Sequence, residues 1–246
     1  TRTLLHEAIP ITGTIVANTY GTFPNEVNIK NFSHGMFQSV YDYPYLSSSA
    51  NHIFDITVGI SSQSALYSTV TSQKSKKKNV YNQMAQVLVG YDKTGSILQF
   101  DEDGDFVAGG RKIHDAMFLN FSRLLTKDEI KKQSFKMEVG VNDAYGTPNN
   151  DLMTIIDLSA STEYRVNSPA GEYGILYCTG ALDFAGITAS KKVTIDSHVY
   201  AKCGLIYYQA GIVVLTSSLF KVESSGGLLS NDLVSDGGTA GRGLIM

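Results

Sequence analysis

The sequence predicts a mainly β fold with minor α. We expect a β-sandwich-like core of antiparallel hairpins, one amphipathic helix and extended terminal arms. Two observations lead to this class. Segments of alternating apolar and polar residues recur between turn-forming residues, as in half-buried strands. Only one segment shows clear helical spacing of its apolar residues, and Gly, which favours turns, occurs 23 times.

The composition bounds the domain organisation. With 246 residues, 43% hydrophobic and 17% charged, the chain can bury one large core. We predict a single β-rich domain over residues 1–223, with a sub-boundary near 145–170 as the alternative, and a Gly/Ser-rich arm over 224–246. We expect apolar side chains to anchor this arm on a neighbouring subunit: Leu228, Leu229, Leu233, Leu244, Ile245 and Met246.

Two strands are predicted in the first quarter of the chain, at Ile11–Phe23 and, with clear period two, at His52–Ile60. Between them three tyrosines alternate around Pro44, which has no amide hydrogen for a central strand. They therefore belong at a sheet edge or in a loop, where Tyr suits contact with sugars or protein surfaces. These candidate contact residues are Tyr41, Tyr43 and Tyr45.

The helix signal lies in "NVYNQMAQVLVGYD", where Asn79 is expected to cap the start and Gly90 the end. Five apolar residues fall on one face at helical spacing. We expect them to face the core: Val80, Met84, Val87, Leu88 and Tyr91. The preceding basic run, Lys74–Lys78, is interpreted as a solvated loop.

Further strands are predicted at Ala116–Leu124, Ser134–Val141 and Leu152–Ala160. Thr126–Glu129 matches a capping box, so a short helical turn is expected through Lys132. The first of these segments is assigned to a strand because Met117, Leu119 and Phe121 alternate.

A weak repeat in the last third compares "GILYCTGALDF" from Gly174 with "GLIYYQAGIVVL" from Gly204. Each predicts a hairpin, Gly174–Tyr177 with Ala181–Phe184 and Gly204–Tyr208 with Gly211–Leu215. The segment "GIVVLTSSLFKV" is the most β-prone in the chain and is placed at the centre of a sheet.

The acidic stretch "FDEDGDFVAGG" is compared first with an EF-hand calcium loop, which needs Gly at position 6 and Glu at position 12. Counted from Asp101, those positions hold Phe106 and Lys112, so the calcium loop is rejected. A three-residue hairpin loop with Gly104 left-handed explains the pattern better.

This hairpin register places Phe100 opposite Phe106 and sets two acids side by side. A loosely held cation, or a lysine from a neighbour, would relieve that repulsion. Changing both acids to Asn is expected to leave the fold intact; they are Asp101 and Asp105.

No catalytic residue, cofactor or metal site is predicted. The sequence contains no G-x-S-x-G, phosphate-loop or chelating His pattern. Cys178 and Cys203 are expected to be free, buried thiols, with a bridge between them as the alternative. The net charge of −3 does not favour nucleic acid as a partner. No apolar run has the length of a membrane span, and the first residues do not form a secretory signal pattern.

Three segments resemble virion structural proteins of large contractile-tailed, T4-like marine bacteriophages: "NVYNQMAQVLVGYD", "FLNFSRLLTKDEIKK" and "GLIYYQAGIVVLTSSLF". The resemblance implies a non-enzymatic subunit of the tail, baseplate or neck, made in the host cytoplasm and incorporated into the virion. Its partners would be copies of itself and other virion proteins, not membranes or small substrates.

Other functions remain open on the sequence. A receptor- or glycan-binding adhesin module is favoured by the tyrosine-rich segment, and a capsid decoration protein also fits the resemblance. An enzyme such as a wall hydrolase would need carboxylates, or a His and a nucleophile, brought together from distant positions.

Overall fold

The computed structural model describes residues 28–32, 36–64, 67, 72–107, 109–122, 125, 129–140, 152–158, 160–180 and 192–219. Within these residues the strands and helices are, in chain order, β1 Ile29–Asn31, β2 Gln38–Tyr41, β3 His52–Ile60, α1 Ser72–Leu88, β4 Asp115–Asn120, β5 Lys136–Gly140, β6 Leu152–Ile156, α2 Ala160–Glu163, β7 Arg165–Ser168, β8 Gly171–Gly180, β9 Lys192–Ile195, β10 His198–Tyr207 and β11 Ile212–Thr216. The prediction of a mainly β fold with minor α is confirmed.

The described strands form one antiparallel sheet of 11 strands, in the order β1-β2-β3-β4-β11-β10-β8-β6-β5. Two short strands lie off this path, because β7 pairs with β8 and β9 pairs with β10. The sequence predicts a sandwich-like core. The structure has one continuous hydrogen-bonded sheet, and an apolar cluster packs on each of its two faces. Continuity comes from β4, which pairs with β3 on one side and β11 on the other.

The repeat prediction is confirmed for its second hairpin, in which β10 and β11 pair from Gly204 opposite Leu215 to Tyr207 opposite Ile212. The first strand of the other repeat unit is β8, which pairs directly with β10. The returning segment Ala181–Phe184 lies outside the described residues. As predicted, β11 occupies the middle of the sheet.

Most individual strand predictions agree with the structure. The strand at His52–Ile60 is confirmed with both ends, and β4, β5 and β6 lie within the other three predicted segments apart from the first residue of β4. The predicted strand Ile11–Phe23 lies outside the described residues. Tyr41 ends β2, and the next two tyrosines of the alternating set follow in a loop.

The helical turn expected through Lys132 is wrong for its described part, since Glu129–Lys131 are not helical. Residues 126–128 of the capping box lie outside the described part of the chain. The physical reason is a tertiary hydrogen bond. The Ile130 amide donates to the Tyr208 carbonyl oxygen at 2.9 Å, which ties this segment to the end of β10 instead of to its own backbone.

Helix α1 begins at Ser72, before the predicted start, so Asn79 lies inside the helix and is not its cap. The run Lys74–Lys78 is therefore helical, and its interpretation as a loop is wrong. The end of the helix is predicted correctly. Gly90 follows it with a φ of 94°, a backbone conformation that residues with a side chain rarely adopt.

The buried face of α1 is rotated from the predicted one. Tyr81, Ala85 and Leu88 are fully buried against the sheet, together with Lys77 one turn earlier. Of the five residues expected in the core, Val80 and Leu88 are buried, Met84 is half-buried, and Val87 and Tyr91 are 61% and 55% exposed. The spacing of apolar residues does not predict this rotation, because one of the buried positions is a lysine and is therefore not part of the apolar pattern.

Helix α1 approaches β3 most closely at Gly59. A Cβ added at Gly59 would lie 2.8 Å from both Cα and N of Tyr81 and 2.9 Å from the Phe118 ring. The helix backbone therefore packs directly on the strand, which only glycine permits at this separation.

We expect Gly59→Ala to destabilise the fold by about 1–3 kcal/mol, because the new methyl group must displace the backbone of α1. The measurement is urea unfolding followed by circular dichroism. An unchanged unfolding midpoint would show that α1 does not pack on β3 at this distance.

The domain division stays a prediction. The alternative sub-boundary near 145–170 spans β6 and β7, which both pair with β8 in the common sheet. The arm over 224–246, with its six apolar anchors, lies outside the described residues.

Among the helices in the described part of the chain, none is long and apolar enough to cross a membrane.

Candidate interaction surface

The tyrosine loop, residues 41–51, connects β2 to β3 and presents the tyrosines named from the sequence. Tyr43 is 57% exposed and Tyr45 is 36% exposed, and the neighbouring Leu46 is 85% exposed. Tyr41 is half-buried, with its ring 6.3 Å from that of Tyr45. The structure thus brings Tyr41 and Tyr45 together and leaves Tyr43 and Tyr45 at the surface.

Hydrogen bonds between Asp42 and Asn51 close this loop at its base. The Asn51 amide donates to Asp42 Oδ1 at 2.7 Å, and Asn51 Nδ2 donates to Asp42 Oδ2 at 2.9 Å. These bonds from Asn51 lower the pKa of the Asp42 carboxyl group. A further turn forms inside the loop, where the Ser47 amide donates to the Pro44 carbonyl at 2.7 Å.

Beneath the loop, a polar cluster joins β2 to β3. The Asp55 carboxylate accepts a hydrogen bond from Ser39 Oγ at 2.6 Å and lies 2.7 Å from His52 Nε2. The His52 ring in turn contacts Tyr41 edge-to-face, with the ring centroids 5.5 Å apart. The serine and the histidine both bind the same carboxylate oxygen and so do not form a relay from nucleophile to base.

The acidic stretch adopts a different register from the predicted one. Gly104 is left-handed, with a φ of 65°, as expected. However, Phe100 is hydrogen-bonded to Ile113, not paired with Phe106, and Asp101 forms a bridge with Lys112. The predicted pairing is wrong because each phenylalanine has its own apolar partners elsewhere in the core.

The two phenylalanines pack at separate places. The Phe100 ring lies 5.5 Å from both the Tyr81 and Phe118 rings, and the Phe106 ring stacks on Tyr173 at 5.1 Å. Phe106 itself has a φ of 58°, an uncommon conformation for a residue with a side chain.

Three acids of this stretch are paired with basic groups of the same chain. Asp101, fully buried, binds Lys112, and Glu102 lies 3.4 Å from Arg111 Nε. Asp103 accepts a hydrogen bond from Lys202 at 2.5 Å, which lowers the pKa of its carboxyl group. Asp101, one of the two acids expected to repel each other, is thus paired with a lysine of the same chain.

A second charged network surrounds Lys132. Its ammonium group pairs with Glu172 and with Glu129 at 3.5 Å, and it lies 4.9 Å from the Tyr164 ring centroid and 5.2 Å from that of Tyr208. The two glutamates share the single positive charge of Lys132, so the arrangement suits a structural link better than acid–base chemistry.

The buried carboxyl group of Asp157 lies beneath this network. It accepts hydrogen bonds from Tyr208 Oη at 3.1 Å and 3.2 Å and from the Gln133 amide at 2.8 Å. Burial raises the pKa of Asp157. These bonds hold the segment before β5 against β10, which sequence patterns do not reveal because the partners lie far apart in the chain.

A serine–histidine contact is also formed by residues distant in sequence. Ser61 Oγ lies 3.0 Å from His114 Nδ1, and Ser64 Oγ donates to Asp115. Ser61 is fully buried and accepts the Gln63 amide at 3.2 Å. The acid binds the second serine and not the histidine, so these contacts join the turn after β3 to the start of β4.

Cys178 and Cys203 are free and buried, which confirms the default prediction. Each thiol donates to a carbonyl oxygen of the adjacent strand at 3.4 Å, and burial raises the pKa of Cys203. In the described part of the chain, no group of three or more His, Cys, Asp or Glu side chains is placed to hold a metal ion.

Met84 and Val87 lie in the last turns of α1, and Tyr91 follows the end of the helix; we group these three partly or mostly exposed apolar side chains as one strip, which we name the helix stripe. Met84 is half-buried, while Val87 and Tyr91 are more than half exposed. Such a strip at a helix surface suits burial against another protein.

The comparison with protein-family models finds no match, and the comparisons with curated proteins and with solved structures find none either.

Proposed function

We propose that this chain is a non-enzymatic structural subunit of a tailed-phage virion, in the tail, baseplate or neck, acting through contacts between subunits. Copies of the same chain and other virion proteins are its proposed partners. The observation that carries the proposal is the helix stripe, an exposed apolar surface inside one of the segments that resemble phage structural proteins.

The resembling segments are close together in the fold. They contribute most of α1, the second half of β4, and the β10–β11 hairpin. The strands concerned are neighbours, because β11 pairs with both β4 and β10. Helix α1 and these strands also share one apolar cluster, which contains Tyr81, Phe118 and Val214. The resemblance therefore describes the centre of the molecule and not scattered surface segments.

The helix stripe fits a protein partner in composition and position. Val87 and Tyr91 are exposed in the same segment that contains the buried Val80 and Leu88. Tyrosine is enriched in the centres of protein interfaces, where its ring is buried at low entropic cost. Gln83, Gln86 and Lys93, which are near the stripe in sequence, supply polar groups of the kind found in an interface rim.

We expect the double variant Val87→Lys/Tyr91→Lys to weaken self-association of the full chain at least tenfold, because two charges enter a contact that excludes water. Sedimentation velocity over a concentration series measures the change. Both side chains are exposed, so the thermal unfolding midpoint should move little.

Asn79→Lys is the matched control, since Asn79 is an exposed residue of the same helix outside the stripe. It should associate like the wild type. A wild-type chain that is monomeric at all concentrations, or a stripe variant that associates normally, would contradict the role of the stripe. Deleting residues 228–246 is a separate test of the arm and should also block incorporation into particles.

A further inference from the structure

We propose that the tyrosine loop is a binding platform for neutral, uncharged oligosaccharides. This inference concerns a different surface from the helix stripe and does not depend on it. The loop presents two exposed phenol rings, Tyr43 and Tyr45, beside a run of hydroxyl groups at Ser47–Ser49. Aromatic rings stack on the apolar faces of sugars, and hydroxyl groups exchange hydrogen bonds with sugar hydroxyls.

The size of the loop favours a sugar over a protein. A standard protein interface uses about 20–30 residues on each side and about 800 Å² per partner. The loop spans residues 41–51, and its large exposed side chains are Tyr43, Tyr45 and Leu46. This surface is sufficient for one or two sugar rings but covers only part of a protein interface.

The charges around the loop favour an uncharged ligand. From Met36 to Ile60 the sequence contains no Lys or Arg, so no lysine or arginine of this segment can bind sulfate, phosphate or carboxylate groups, and its one histidine, His52, lies on Asp55. The neighbouring strand β1 contains Lys30, but its ammonium group lies over the Phe32 ring, 5.2 Å from the ring centroid. The acid Asp42 would repel an anionic ligand, since the bonds from Asn51 keep it ionised.

Hydrogen bonds within the loop also brace it in the structure. The bonds between Asp42 and Asn51 close its base, and the turn from Pro44 to Ser47 fixes the segment between the exposed rings and the serines. Behind it, Tyr41 is packed edge-to-face on His52. A rigid platform loses little conformational entropy on binding, which matters for weak sugar ligands.

Saturation-transfer difference NMR on the full chain tests the proposal. The probes are chitotetraose, maltotetraose and cellotetraose as neutral oligosaccharides, with a sulfated heparin oligosaccharide as the anionic comparison. We expect transfer to at least one neutral probe and a reduction of at least fivefold in Tyr43→Ala/Tyr45→Ala. Tyr91→Ala is the matched control, because Tyr91 is as exposed as Tyr43, at 55% against 57%, but lies on the helix stripe.

Three results would overturn the proposal. These are no transfer to any neutral probe, equal transfer in the loop variant, or stronger transfer to the anionic probe than to the neutral ones. A loop variant that loses self-association would instead make this surface a protein interface. The two proposals fail separately, because stripe variants should keep sugar binding and loop variants should keep self-association.

Discussion

Replacing Lys77 by Met should stabilise the protein at neutral pH by several kcal/mol. Lys77 is fully buried on the core-facing side of α1. Burial, with a smaller contribution from Lys76, lowers the pKa of its ammonium group from 10.5 to about 7. A decrease of this size corresponds to about 4 kcal/mol of destabilisation at pH 7. The reason is that Lys77 is charged in the unfolded chain at this pH, whereas burial in the folded chain disfavours the charged form.

The same residue predicts the direction of a pH dependence. Between pH 7 and 10.5 the unfolded chain binds more protons at Lys77 than the folded chain does. The free energy of unfolding should therefore rise with pH across this window in the wild type. Lys77→Met should remove most of that rise, which urea unfolding at pH 7, 8 and 9 can measure.

Lys76→Met provides the control, because Lys76 is the exposed neighbour on the same helix. It should change the free energy of unfolding by less than about 0.5 kcal/mol and retain the pH dependence. If Lys77→Met lowers the stability at pH 7, the lysine is not buried at a net cost and the placement of α1 on the sheet is wrong.

Asp101→Asn should lower the free energy of unfolding by about 3 kcal/mol, because it leaves Lys112 without its charged partner in a mostly buried position. The Asp101 side chain is fully buried, and Lys112 is 16% exposed. The carboxylate also accepts the Asp103 amide at 2.8 Å, which holds the turn. The measurement is urea unfolding at pH 7.

The matched control is Asp105→Asn, since Asp105 is exposed and its oxygen accepts only a local bond from the Val107 amide at 3.0 Å among the contacts described. That variant should stay within about 0.5 kcal/mol of the wild type. Sequence reasoning predicts that changing both acids together to Asn leaves the fold intact; the structure separates their roles. Equal, small effects of the two changes would refute the buried ion pair.

Strand positions follow from the sequence where apolar residues alternate or form a short continuous run. The alternation in His52–Ile60 gives β3 with both ends, because period two leaves no other regular structure. The apolar run of β11 predicts a central strand for the same reason. The pairing of strands cannot be predicted from the sequence in the same way. β4 pairs with both β3 and β11, which lie far from it along the chain, and no local pattern links them.

The helix shows where local patterns fail. Its start is missed because the lysine run has no apolar periodicity, although Lys77 occupies a core position. Its exposed stripe is missed because Val87 and Tyr91 match the apolar spacing that normally predicts burial. Composition identifies an apolar side chain, but only the neighbouring elements decide whether it is covered.

The interaction surfaces are predictable only in part. The tyrosines around Pro44 indicate an exposed loop from sequence, and the structure places Tyr43 and Tyr45 at the surface. The Asp42–Asn51 closure of that loop joins residues that carry no recognised motif. The partners of the acidic stretch are hidden in the same way, since Lys202 lies far along the chain from Asp103.

The most direct test of the proposed virion role is quantitative mass spectrometry of gradient-purified particles from a phage proposed to encode this chain. A structural subunit should co-sediment with intact particles in a fixed ratio to the other virion proteins. Particles carrying Val87→Lys/Tyr91→Lys should contain much less of it, or should fail to form. Recovery of the wild-type chain only in the unassembled fraction, with intact particles lacking it, would contradict the account.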